Sequence, residues 1–178
     1  KEHFQDWQTK GFIPCRKIES GAETDRLFRE RGWTHWHHLY NPRQLLMIGL
    51  FQKLAAETAK TPKVGAALLL GVGRMADWCS RLCTWDSGAA KELGQHIFYN
   101  QALNTVVNHA CRVHASIAST WYFTIPDRNV SSDFFITPLD ARTTTYVADL
   151  WITDPPYADA INYEELSELF LAWYEKRL

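Results

Sequence analysis

Apolar residues recur three and four positions apart along most of the chain up to Phe123, which is the periodicity of amphipathic helices. Behind Asn41-Pro42, the residues Met47, Leu50, Phe51, Leu54 and Ala55 share one such face. Asn is a good N-cap, and Pro fits the first turn, where its missing N–H costs nothing. Thr61-Pro62 repeats the start signal, and Val64, Leu68, Gly71, Val72, Met75, Cys79 and Leu82 follow as one stripe of about five turns. A third stripe joins Leu103, Val106, Val107, Ala110, His114, Ile117, Ala118 and Trp121. A shorter helix is expected over Thr24–Arg31, with Thr24 as N-cap and Gly32 closing it. Residues 1–126 therefore read as a mostly helical module.

From Pro126 the pattern changes. Asp133 to Thr137 is short, apolar and rich in β-formers, and Tyr146 to Thr153 reads as a largely buried strand. That strand runs straight into Asp154-Pro155-Pro156-Tyr157, after which Tyr163 to Arg177 is expected to be a helix presenting Leu166, Leu169, Phe170 and Trp173. Strand, proline-rich loop and helix in that order are the grammar of an α/β sheet whose ligands sit at the strand C-terminal ends. Residues 127–178 thus read as a slice of such a sheet.

Composition narrows the function classes. The chain has 178 residues, 46% of them hydrophobic, and a formal net charge of −1. That suits one ordinary domain with a sizeable core, and it is not the signature of a disordered chain. No strongly basic footprint for nucleic acid shows in the total. The charge is uneven, however: from Asp149 onward there are seven acids against two bases, which leaves a surplus of four bases in the remainder. A bound polyanion would therefore be held by the helical part. The longest apolar run, Gly65 to Gly73, is far shorter than the roughly 20 residues of a membrane span. No signal peptide is expected at Lys1, and with no initiating Met the chain reads as a piece of something longer. Cys15, Cys79, Cys83 and Cys111 lack the spacing of a disulfide scaffold, which points to a reducing, cytoplasmic setting.

The sharpest chemical signal is Asp154-Pro155-Pro156-Tyr157, which resembles the catalytic tetrad of S-adenosylmethionine-dependent amino-methyltransferases. An exocyclic amine conjugated to a purine is a poor nucleophile, because its lone pair is delocalised. A carboxylate (Asp154) and a fixed carbonyl (Pro155) can each accept one N–H and aim that lone pair. Pro156 stiffens the loop, and Tyr157 offers a face on which an extruded base can stack. The bland alternative is a proline-rich turn with Asp as its cap.

The likeness extends further. Asn41-Pro42-Arg43-Gln44-Leu45-Leu46, Gly73-Arg74-Met75-Ala76-Asp77 through Trp85-Asp86, Gln101-Ala102-Leu103 and the tetrad with Tyr163 and Leu166 are similar to the central section of large prokaryotic adenine-specific DNA methylases that contain a zinc ribbon. The resemblance covers most of the chain from about Gly32 onward. It implies an α/β (α-rich) fold, a partial class I methyltransferase Rossmann-like sheet preceded by a helical insertion. It also implies methyl transfer to adenine N6 in DNA, with S-adenosylmethionine as the donor and other subunits of a modification or phage-defence system as further partners. The family's glycine-rich cofactor motif and zinc ribbon lie upstream of the tetrad and are not among these residues. The resemblance therefore implies that cofactor binding and activity need more chain than this. Asp140 sits where related methyltransferases place an acidic group near the cofactor adenine. An Asp that starts a turn is the equal alternative.

Other features read more simply. Gly71-Val72-Gly73-x-x-Ala76 mimics a dinucleotide fingerprint, but the helical stripe passes through both glycines, so close helix packing is expected instead. His35, His37 and His38 cluster, and Cys79, Cys83, Cys111 and His114 lie near apolar stripes. None has zinc-site spacing, and no metal is expected. Arg43, Arg74 and Arg81 could reach phosphates, with solvated helix faces as the default. Two further readings stand beside the adenine methyltransferase. One is a non-catalytic helical module that recognises DNA or protein, and the other is an amino-methyltransferase acting on RNA, cytosine N4 or glutamine.

Overall fold

A computed structural model describes residues 3–83, 85–86, 93–94, 97, 135–155 and 161–177. The chain forms two compact units: Lys1–Tyr122 together with Asn162–Leu178, and Phe123–Ile161. In the first, the described helices are α1 (Phe4–Thr9), α2 (Thr24–Arg31), α3 (Pro42–Thr58), α4 (Pro62–Trp78) and α5 (Tyr163–Tyr174). A 3-10 turn spans Trp36–Leu39. None of the described helices is long and apolar enough to cross a membrane.

The starts of α3 and α4 follow from local chemistry. Asn41 Oδ1 accepts the Gln44 N–H at 2.9 Å, and Gln44 Oε1 accepts the Asn41 N–H at 2.8 Å, a reciprocal capping box. Thr61 Oγ1 accepts the Val64 N–H at 3.3 Å. Helix α2 ends as expected at Gly32, in the left-handed region at φ 64°, with its N–H on the Phe28 carbonyl at 2.8 Å. Its start differs from expectation. The Thr24 hydroxyl donates to the Glu19 carbonyl at 2.8 Å, and the α2 amides are instead met by Glu165 of α5. Helix α4 stops at Trp78, four residues before the expected end of its stripe, yet Leu82 and Cys83 remain buried.

Helix α3 packs on α4, and α4 packs on α5. The core gathers Trp36, Leu39, Ile48, Val72, Met75, Ala76, Leu169 and Trp173. The buried face of α3 is Gln44, Leu45, Ile48, Gly49, Gln52 and Ala55, so it is rotated from the face that hydropathy alone selects. Leu50 and Leu54 of that selected face lie exposed. Two tertiary contacts account for the rotation. Gln52 Nε2 donates to the Trp173 carbonyl at 2.8 Å, and the Trp7 ring lies so close to Gly49 that a Cβ there would sit 2.6 Å from it.

The structure corrects the expected Rossmann-like sheet. Among the described residues, strand pairing is confined to Trp85–Asp86 with Leu93–Gly94, two residues each and antiparallel, plus a single bridge between Lys17 and His35. In the second unit, 146–153 has no regular secondary structure and is exposed, Val147 fully and Ile152 at 86%. Phe135, Ile136 and Thr137 likewise form no ladder, and the described regular element there is a 3-10 turn at Ala141–Thr143. The physical reason is that an apolar, β-branched run specifies a surface to bury, while a strand exists only where a neighbour completes its hydrogen-bond ladder. The third helical stripe, from Leu103 to Trp121, lies outside the described residues.

Candidate functional site

Of the tetrad, Asp154 and Pro155 are described, while Pro156 and Tyr157 lie outside the described residues. Both described members follow the exposed 146–153 segment, and both are themselves exposed. The Asp154 carboxylate and the Pro155 carbonyl are thus the two acceptors with which this loop could grip an amine.

Asp140 is engaged with its own turn. Its Oδ1 accepts the Arg142 N–H at 2.9 Å, and the Arg142 guanidinium grips both carboxylate oxygens at 2.7 to 3.1 Å. These bonds from Arg142 hold the Asp140 carboxyl below its ordinary value. Its Oδ1 therefore serves as the cap of the 141–143 turn, the arrangement the turn reading anticipates. Gly71 and Gly73 lie inside α4, where a Cβ on Gly73 would run into the Tyr174 hydroxyl. Gly73 thus serves helix packing.

The histidines come together. The His37 and His38 rings stand 4.4 Å apart and His35 lies 5.4 and 5.6 Å from them, while the Phe4 ring meets His37 edge-on at 5.1 Å. His38 Nδ1 accepts the Thr34 N–H at 3.2 Å, so that nitrogen is an acceptor. Desolvation first, then the neighbouring His38 and His35, push His37 down to about 4. Burial, His35 and Arg81 lower His38. No group of three or more His, Cys, Asp or Glu among the described residues could hold a metal ion. Cys79 and Cys83 are buried and form no disulfide, and burial pushes the Cys83 thiol up. Cys111 and His114 lie outside the described residues.

Beside the histidines is a cavity of about 1050 Å³ in the helical unit, walled by α1, the Gly32–Tyr40 stretch, the start of α3 and Arg81. His37, His38 and Arg81 stand out in the sequence only as separate features. Nothing in the residue order places them in one chamber with Trp7 and Trp33, because the chamber exists only once α1 folds across α3. None of its lining residues belongs to the tetrad.

Comparison with protein-family models, with curated proteins and with solved structures found no match to this chain.

Proposed function

We propose that these residues form part of an S-adenosylmethionine-dependent amino-methyltransferase acting on adenine N6 in DNA. The observation that supports this reading is the run Thr153-Asp154-Pro155-Pro156-Tyr157, with the Asp154 carboxylate and Pro155 carbonyl both exposed to a substrate. In this reading the two oxygens each accept one N–H of the target amine and hold its lone pair clear of the ring. Tyr157 stacks on the extruded base, which can leave the duplex only if its lost stacking is replaced. No side chain with a tuned pKa is needed to start, because the amine nitrogen becomes acidic as it gains its new bond.

Neither cofactor feature that the sequence suggests offers a cradle for S-adenosylmethionine. Both Asp140 oxygens are held by Arg142, and Gly73 is packed against Tyr174 and Phe170 of α5. In this reading the cofactor is held by residues other than these. The test is transfer of tritiated methyl groups to adenine-containing duplex DNA by the protein that carries these residues. Asp154→Ala should lower the rate by about two to three decades.

One observation favours a second reading, a non-catalytic helical module that recognises DNA or a partner protein. Helix α5, directly downstream of the tetrad loop, is built into the helical unit through Glu165, Glu168 and Trp173. Near-parental methyl transfer by Asp154→Ala, with unchanged thermal melting, would decide for that module.

A further inference from the structure

We infer that the cavity of the helical unit is a binding site for a small aromatic anion, a flat ring carrying a carboxylate, sulfonate or phosphate. Its walls are apolar and largely aromatic, with Trp7, Trp33, Tyr40 and Leu45 among them, and about 1050 Å³ accommodates a ligand of two or three fused rings. Among the described residues that line it, the one fixed charge is a cation. Arg81 lies over the Trp33 ring at 4.9 Å and gives one N–H to the His38 carbonyl at 3.2 Å. That leaves most of a guanidinium's five donors for a ligand. Among the described residues no Asp or Glu lines the chamber, and no carboxylate pairs with Arg81. Arg31, on the same indole at 5.5 Å, is by contrast neutralised by Glu30 at 3.0 Å. A partly enclosed cation held on an aromatic face, with no carboxylate among the described residues to pair it, is half of a charge-assisted pair. The flat neighbouring surfaces select a planar partner. This inference is independent of the methyltransferase reading, since no tetrad residue takes part.

The experiment uses anilinonaphthalene sulfonate as the probe, titrated into the 178-residue chain and followed by its fluorescence and by energy transfer from tryptophan. The uncharged phenylnaphthylamine is the control. One saturable site that prefers the anion is expected, with naphthoate competing at least about tenfold better than naphthol. Arg81→Gln should weaken the anionic probe by about tenfold or more and leave the neutral one unchanged. Leu46→Trp, at the half-exposed mouth (53%), should weaken both by filling the chamber. Equal competition by naphthoate and naphthol on the unaltered chain would overturn the inference, and so would full anion binding by Leu46→Trp. The competition needs no variant, so a folding failure of Arg81→Gln does not blunt the test.

Discussion

The Glu165 carboxylate accepts the backbone N–H of Thr24 at 2.7 Å, and the same oxygen takes the Glu23 N–H at 3.0 Å. A side chain 141 residues away thereby caps the N-terminus of α2, where unpaired amides and the helix dipole both favour a negative charge. The other end of α5 does the converse. Lys176 Nζ donates to the Gln8 and Thr9 carbonyls, and Arg177 donates to the Lys10 carbonyl, all at the C-terminal end of α1. Helix α5 and the two bases just past its end thus supply an anion to a helix start and cations to a helix end.

Glu165→Ala should therefore destabilise the helical unit by about 1–2 kcal/mol, the cost of a lost cap with its dipole term. Glu165→Gln keeps a carbonyl acceptor and should recover part of it. Urea unfolding followed by circular dichroism measures both, with an unchanged m-value expected. A loss below about 0.3 kcal/mol for the alanine variant would mean that Thr24 or solvent already satisfies these amides.

This cap also marks what the residue order could reveal. Elements closed by neighbours were legible: Asn41 with Gln44, Thr61 with Val64, and Gly32 at the end of α2 all act within four residues. Elements closed at a distance were not. Thr24 looks like an N-cap, yet Glu165 displaces it. The buried face of α3 includes Gln44 and Gln52, because the capping box holds one and the Trp173 carbonyl the other, and no hydropathy pattern encodes either contact. Tyr146 to Thr153 has the composition of a strand, but composition names no neighbour. Asp140 carried two readings, and its capping of the Arg142 amide realises the local one. The cavity was illegible for the same reason as α3: its walls come from residues 3 to 81, brought together only by folding.

Tyr40 sits fully inside this unit. It donates its hydroxyl proton to the Ala76 carbonyl at 3.0 Å and accepts the Trp173 Nε1–H at 3.1 Å, with the two rings edge to face at 5.3 Å. Tyr40→Phe leaves a buried donor and a buried acceptor unpaired, and should cost about 2–4 kcal/mol. Burial also lifts the phenol well above its ordinary value of 10.0, so the unfolded chain releases that proton first. Stability from this group is complete below pH 10.0 and drains away as pH climbs beyond it. Unfolding free energies between about pH 8 and about 11, compared in parent and variant, check both statements; the variant should show the shallower alkaline loss.

His37 works in the opposite direction. Its folded-state value near 4 lies below the ordinary 6.5, so the unfolded chain binds a proton that the folded chain refuses. The corresponding stability is present above pH 6.5 and lost as pH falls toward 4. The ring is only half-buried, so solvent screening cuts the full linkage value to about 1 kcal/mol. His37→Gln should flatten the stability profile across that window while changing little at about pH 7.5 and above. Imidazole titration by NMR gives the second check, and a His37 midpoint at or above 6.5 would contradict the desolvated setting.

Gly73 tests the contact between α4 and α5, and with it the choice between packing and nucleotide binding for the Gly71–Gly73 stretch. Two effects oppose each other in Gly73→Ala. Alanine in a helix interior is favoured over glycine by about 1 kcal/mol. Against that, the new methyl group meets the Tyr174 hydroxyl, with the Tyr174 ring carbon at 3.0 Å and Phe170 at 3.4 Å behind it. Overpacking of this kind costs about 1–3 kcal/mol, and Tyr174 is half-buried, so its ring can yield only in part. The net should be a destabilisation of up to about 2 kcal/mol. Tyr174→Phe removes the colliding oxygen, so the double variant should return to parental stability or exceed it, with the helix-propensity gain now visible. A four-corner cycle of urea unfolding isolates the coupling, expected at about 1 kcal/mol or more. Additive effects, with Gly73→Ala as harmful alongside Tyr174→Phe as in the parent, would show that the Tyr174 hydroxyl does not hold this glycine small. The packing explanation for Gly73 would then fall.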